Sequence, residues 1–136
     1  MVIVGLDYGD RYVGVALTDP DGEFTYRFGT IDQKKDDVLE EVQKLIEEES
    51  VKKIVVGIPQ GLRANETEQT QKTRAFVERL REEFGDSLEL AEQTEIFSSA
   101  EARRIIEEEG GRKEEEHAEA ARLVLESYIK KEINKR

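Results

Sequence analysis

The stretch GLDYGDRYVGVAL, Gly5 to Leu17, decides how the fold begins, and as a strand it is odd. Val2, Ile3 and Val4 open an apolar run, yet Asp7 interrupts it and Gly9 follows two residues later. A carboxylate ending a strand that otherwise reads as buried is costly unless a partner or a ligand takes up its charge. Alternation assigns Val2, Val4 and Leu6 to one face and Ile3, Gly5 and Asp7 to the other. Asp7 then lies at the C-terminal end of the strand between two glycines, and Gly9 leaves room for a second backbone or a phosphate. Such an acid serves either as the cap of its own turn or as a hard oxygen ligand for Mg²⁺ or Mn²⁺, and a D-x-G triplet alone does not choose between them.

Outward from there, YVGVALT (Tyr12–Thr18) reads as a second strand and Asp19-Pro20-Asp21-Gly22 as a turn. Glu23–Ile31 gives a third strand, so the chain opens as an antiparallel meander. The period then changes. Val38, Leu39, Val42, Leu45 and Ile46 recur at helical spacing between about Asp36 and Glu49. Lys53–Ile58 is a short, continuously apolar strand of the kind buried on both faces of a parallel sheet. A loop from Pro59 to Asn65 leads to a helix over Thr67–Phe84, and Leu88–Leu90 starts another strand that runs on toward Glu95. Ser98 to Glu101 has the spacing of a capping box, the helix it opens stops at Gly110-Gly111, and a last helix spans about Glu114 to Lys131. The order βββαβαβαα implies an α/β protein: a mixed sheet, a three-strand antiparallel meander plus parallel strands, with helices on both faces. The 136 residues are expected to form a single domain, 1–136.

Composition narrows the function classes. There is no cysteine, which removes disulfides, thiolate metal sites and a cysteine nucleophile. No apolar run reaches the length of a membrane span and no secretory leader is recognisable, so a cytoplasmic protein is expected. The net charge of −11 opposes nucleic-acid binding as a whole-chain average, although a local basic groove is compatible with acidic outer faces.

Two further positions join Asp7. Glu95 follows a strand and precedes a helix, where it is either a solvated acid or a ligand at the sheet edge. His117, the single histidine, heads a stripe with Ala121, Val124 and Tyr128 on the last helix; it is either a hydrogen-bonded packing residue or a ligand and proton carrier. The acidic runs Glu107–Glu109 and Glu114–Glu116 read as solvated faces, with Glu114, one turn before His117, able to face the same way. The GGRKEEE connector ahead of the last helix stands where it could gate access to His117.

Four blocks in order resemble the YqgF/RuvX family of ribonuclease H-fold proteins. GLDYGDRYVGVALTD is similar to its opening, and VVGIP with ETEQTQKTR to its second block. EIFSSAEA resembles the third, and HAEAARLVLESYI the closing helix. The resemblance covers Gly5 to Tyr128 and implies a ribonuclease H-like fold and a metal-dependent nuclease holding Mg²⁺ or Mn²⁺. It implies Asp7, Glu95 and His117 as the catalytic and metal-binding set, with His117 standing where the family has Asp. Thr94 and Ile96 replace an acid and an arginine of the family pattern, and Gly61 and Arg63-Ala64 depart from it in the loop after Pro59. Without arginine at 96, Arg11, Lys72 and Arg74 become the expected substrate-binding contacts. The implied substrate is precursor 16S rRNA, with branched DNA of the Holliday junction type as the alternative. A binding protein of nucleic acid or ribosomal particles that has lost part of the acidic set is the reading from a different class. A monomer or weak homodimer is expected.

Overall fold

The computed structural model describes residues 1–60, 66–95, 98–112 and 115–135. Its elements run β1 (Val2–Tyr8), β2 (Tyr12–Thr18), β3 (Thr25–Asp32), α1 (Val38–Glu49), β4 (Val51–Pro59), α2 (Glu68–Phe84), β5 (Glu89–Glu95), α3 (Ser98–Glu109) and α4 (Glu115–Asn134). The five strands make one sheet in the order β3-β2-β1-β4-β5. β1, β2 and β3 pair antiparallel, whereas β4 and β5 lie parallel to β1, each reached through a helical crossover. This is the mixed sheet expected from the order of elements.

The alternation read from β1 is also what the packing shows. Val4 and Leu6 are buried with Val42, Leu45, Phe76 and Leu80 of α1 and α2 on one face. Ile3 packs on the other face with Val124, Leu125 and Tyr128 of α4. β4 feeds both cores, Ile54, Val56 and Ile58 to one and Val55 to the other, so its unbroken apolar run has a direct cause. α3 rests on α4, through Ile105 against Ala120 and Leu123.

Element ends differ from the sequence reading where a side chain captures the backbone. The Asp19 carboxylate accepts from the amides of Glu23 and Phe24, which keeps Glu23 in the turn, and β3 starts only at Thr25. Asp37 caps α1 by accepting from the Leu39 and Glu40 amides. α2 opens with a reciprocal cap between Thr67 and Thr70, in which a threonine takes the place of the usual acid or amide. Ser98 is already helical; the side chains of the expected Ser98–Glu101 cap lie outside the described residues. Gly110 takes the left-handed conformation expected at the end of α3, with φ +74°.

β5 is more polar than a core strand, and its place at the sheet edge explains it. Glu92 faces α2, where Arg74 and Arg81 lie 3.4 and 4.0 Å away. Behind α4, the carboxylate of Glu119 is 1% exposed yet is gripped by the Arg122 guanidinium, with Arg27 of β3 3.9 Å away. Arg27 also reaches Glu109 of α3 at 2.9 Å, so one buried acid and two arginines tie β3, α3 and α4 together. No helix among the described residues is long and apolar enough to cross a membrane.

Candidate active site

The parallel strands β1, β4 and β5 end at the same edge of the sheet, and that edge carries the residues singled out in the sequence. In open α/β sheets the region beyond the carboxyl ends of the strands is where ligands bind, because loops and helix starts converge there. Asp7 is the penultimate residue of β1 and pairs with Gly14 of β2. Its face is the one covered by α4.

α4 delivers His117 in its first turn. Its Nδ1 lies 3.4 Å from Oδ2 of Asp7, bridging 110 residues of sequence. The side chains are 35% and 19% exposed respectively, so the pair is accessible from solvent but backed by protein. The ring tilts 43° against Tyr12, with centroids 5.7 Å apart. Gly9 faces the same ring: a methyl group there would meet His117 Cε1 at 3.3 Å and the Tyr12 carbonyl oxygen at 2.7 Å. The room read from the sequence at Gly9 is thus taken by the imidazole and by a backbone carbonyl.

The separation allows two chemical states. With an ionised Asp7 as acceptor, Nδ1 carries the proton and Nε2 is left as the ring's open acceptor. Alternatively both atoms face one cation: neighbouring ligands of an octahedral ion at about 2.1 Å lie about 3.0 Å apart, close to what is found here. An oxygen and an imidazole nitrogen at this spacing fit a divalent transition-type ion such as Mn²⁺ better than an all-oxygen Mg²⁺ site. Among the described residues no group of three His, Cys, Asp or Glu side chains converges. Glu95 holds the last register position of β5, opposite Pro59, but its side chain lies outside the described residues, as do Ile96, Glu114 and the loop with Gly61, Arg63 and Ala64.

The turn after Asp7 is held from both sides. Gln69, in the first turn of α2, donates to the Tyr8 carbonyl at 2.8 Å. Gln33 donates to the carbonyls of Gly9 and Asp10 at 2.8 and 3.3 Å. Neither glutamine stood out in the sequence; Gln69 falls inside the ETEQTQKTR block, but only the fold shows what its amide touches.

The three basic residues expected to bind substrate all have acidic partners. Arg11 reaches Asp32 at 3.2 Å and lies 4.9 Å over the Tyr12 ring. Its hydrogen bonds, with the Lys34 amide, hold the Asp32 carboxyl below the usual range. Lys72 meets Asp10 at 3.2 Å and Glu68 at 3.5 Å, contacts that raise its ammonium pKa. Arg74 meets Glu66 at 2.9 Å and Glu92 at 3.4 Å. The three basic side chains are all solvent-exposed, so a phosphate can exchange for the carboxylate at little cost. On the other side of the α4 start, a cleft of about 450 Å³ is lined by Arg27, Thr30, Arg112 and Glu115 among others.

The model of the family described as "RuvX: Holliday junction resolvase" matches residues 1–131. A Thermoanaerobacter pseudethanolicus protein named "Putative pre-16S rRNA nuclease" is 35% identical, covering 99% of this chain and 100% of its own length. Proteins of the same name from Salinibacter ruber and Fusobacterium nucleatum are 34% and 32% identical, each over 93% of this chain and covering 91% and 94% of their own lengths. Among solved structures, Thermus thermophilus RuvC in complex with a Holliday junction substrate has a TM-score of 0.56 at 13% identity, over 98% of this chain and 96% of its own. That likeness establishes the fold.

Proposed function

The chain belongs to the RuvX family, and from that membership together with the Asp7–His117 pair we propose that it is a metal-dependent nuclease that hydrolyses phosphodiester bonds in the 5′ region of precursor 16S rRNA. The observation that carries the reading is the meeting of an acid from the first strand with the histidine of the last helix, at the sheet edge where the parallel strands end. The full-length relatives named as pre-16S rRNA nucleases favour the RNA substrate.

Asp7 and Glu95 would hold Mg²⁺ or Mn²⁺, with His117 as either the third ligand or the acid/base. A divalent ion bound there supplies a water of lowered pKa and stabilises charge building on the scissile phosphate. The chain's own groups do the rest. Asp7 orients the imidazole, and His117, when its Nδ1 is engaged by Asp7, offers Nε2 to take the proton of the attacking water or return one to the leaving oxygen. Arg11, Lys72 and Arg74 exchange their carboxylate partners for backbone phosphates and fix the strand in register. The protein works as one domain in the cytoplasm, as a monomer or weak homodimer, on free precursor or on ribosomal particles.

Holliday junction cleavage is the second reading, favoured by the description of the family. A binding protein without catalysis is the third, favoured by a histidine where the family has Asp and by the ion pairs that occupy all three basic residues. Side-by-side incubation of a 16S precursor transcript and a synthetic four-way junction, with Mg²⁺ or Mn²⁺, separates the three. Cleavage of the transcript, lost in Asp7→Ala, is expected. Junction cleavage alone selects the second reading, and binding without cleavage the third.

A further inference from the structure

α4 crosses the sheet at positions that have no side chain. A methyl group on Gly57 of β4 would lie 2.6 Å from a Val124 methyl, and one on Gly5 of β1 would lie 2.5 Å from Leu125 Cγ and 3.0 Å from the Ala121 carbonyl oxygen. Gly14 of β2 differs in kind. A methyl group there would fall 1.8 Å from the carbonyl oxygen of His117, 2.1 Å from its carbonyl carbon and 2.8 Å from the Ala118 nitrogen.

The difference lies in what can yield. Val124 and Leu125 can answer with a side-chain rotation. The atoms above Gly14 are backbone, so relief comes only from lifting the helix or bending the strand. Raising the 1.8 Å approach to 3.0 Å needs a shift of about 1.2 Å. Gly14 is also the register partner of Asp7, so the residue that sets the height of His117 sits beside the residue His117 must meet. At 3.4 Å the Asp7–His117 contact is already at the outer limit of a hydrogen bond, and a lift of that size parts the two groups.

We propose that Gly14 is a positioning residue: the absence of a side chain there seats the first turn of α4 on the sheet and thereby sets the distance between Asp7 and His117. The inference builds on the proposed nuclease site, but the geometry it concerns is measurable without activity. His117 is the only histidine, so its imidazole signals are unambiguous in NMR spectra.

The test compares Gly14→Ala with Gly57→Ala, which perturbs α4 two turns further along. In the wild type, His117 Hε1 should show nuclear Overhauser contacts to Gly9, and its Nδ1 signal should respond to Asp7→Asn. Gly14→Ala is expected to abolish the contact to Gly9, to move the Nδ1 signal to its Asp7→Asn position, and to lower Mn²⁺ affinity at least tenfold. Gly57→Ala should keep the contact and the signal, with affinity within twofold, even if it melts earlier. A folded Gly14→Ala protein with wild-type His117 signals overturns the proposal. Should Gly14→Ala fail to fold, the wild type decides: Gly14 Hα should show nuclear Overhauser contacts to the Ala118 amide, and in rising urea the Hε1–Gly9 contact should be lost together with them, whereas a Hε1–Gly9 contact that outlasts them overturns the proposal. Absence of Mn²⁺ binding or cleavage in the wild type would refute the nuclease reading and leave the imidazole test of Gly14 intact.

Discussion

His117→Asp places at this position the acid that the family resemblance implies there, and the structure sets what that exchange costs and returns. In the wild type, His117 Nδ1 and Asp7 Oδ2 are 3.4 Å apart. An aspartate at 117 reaches less far, so two carboxylates about 5 Å apart are the reasonable geometry. Two unit charges at that distance repel by about 1 kcal/mol in water and about 3 kcal/mol at an effective dielectric constant of about 20. Partial exposure of both side chains places the variant between these limits. Without metal at pH 7.5, it should therefore be about 1–3 kcal/mol less stable than wild type.

The pH dependence has a definite sign. Mutual repulsion raises the folded pKa of one carboxyl above its unfolded value of about 3.9. The penalty is then present in full above the folded pKa and disappears as pH falls through it toward the unfolded value. Metal offsets the penalty at neutral pH, since saturation at 100 times Kd adds about 2.7 kcal/mol, and because a second carboxylate favours Mg²⁺ the Mg²⁺ increment should be larger in the variant. Urea melts of both proteins in EDTA, Mg²⁺ and Mn²⁺, at pH 7.5 and pH 4, measure all of this. Equal stability in EDTA at both pH values, with no larger Mg²⁺ increment in the variant, would refute the claim that positions 7 and 117 form one cation site.

Other expectations are simpler to test. Glu119→Ala leaves the partly buried Arg122 guanidinium with Glu126 as its remaining partner and should cost about 1–3 kcal/mol, read as a lowered urea midpoint. Arg11→Met removes the side-chain hydrogen bonds that do most to hold the Asp32 carboxyl down, so its NMR titration should move up toward the ordinary carboxylate range. Wild-type stability from that pair is present above the unfolded pKa and lost as pH falls through the lower folded value. Gln33→Ala frees the Gly9 and Asp10 carbonyls, and amide exchange across residues 9–11 should quicken while the sheet core is unchanged. Lys72→Ala and Arg74→Ala should weaken RNA binding uniformly and each lower the salt slope by about one, leaving the cleavage rate at saturation close to wild type.

The sheet was legible because its strands announce themselves differently. β4 is apolar throughout and is buried on both faces; β1 alternates until Asp7, and the structure alternates with it. Where the reading slipped, as at the start of β3, a single carboxylate had taken over backbone amides, and no periodicity records that. Asp7 and His117 were legible as candidates one at a time, but their meeting depends on where α4 crosses the sheet. The basic residues show the limit most clearly. Arg11, Lys72 and Arg74 look free in a sequence, while their partners Asp32, Asp10, Glu68, Glu66 and Glu92 are chosen by the fold.

The arrangement of α4 also has a consequence in time. Asp7 emerges with the first strand of the sheet, and the groove that receives His117 is bounded by strands made soon afterwards. The histidine arrives only with the helix that follows all five strands, across a loop closure spanning 110 residues. A nascent chain that has reached α3 therefore holds half of the pair, and docking of α4 is the event that assembles it. For an enzyme whose proposed substrate belongs to the ribosome itself, the cutting site would come into being only after the sheet beneath it is complete.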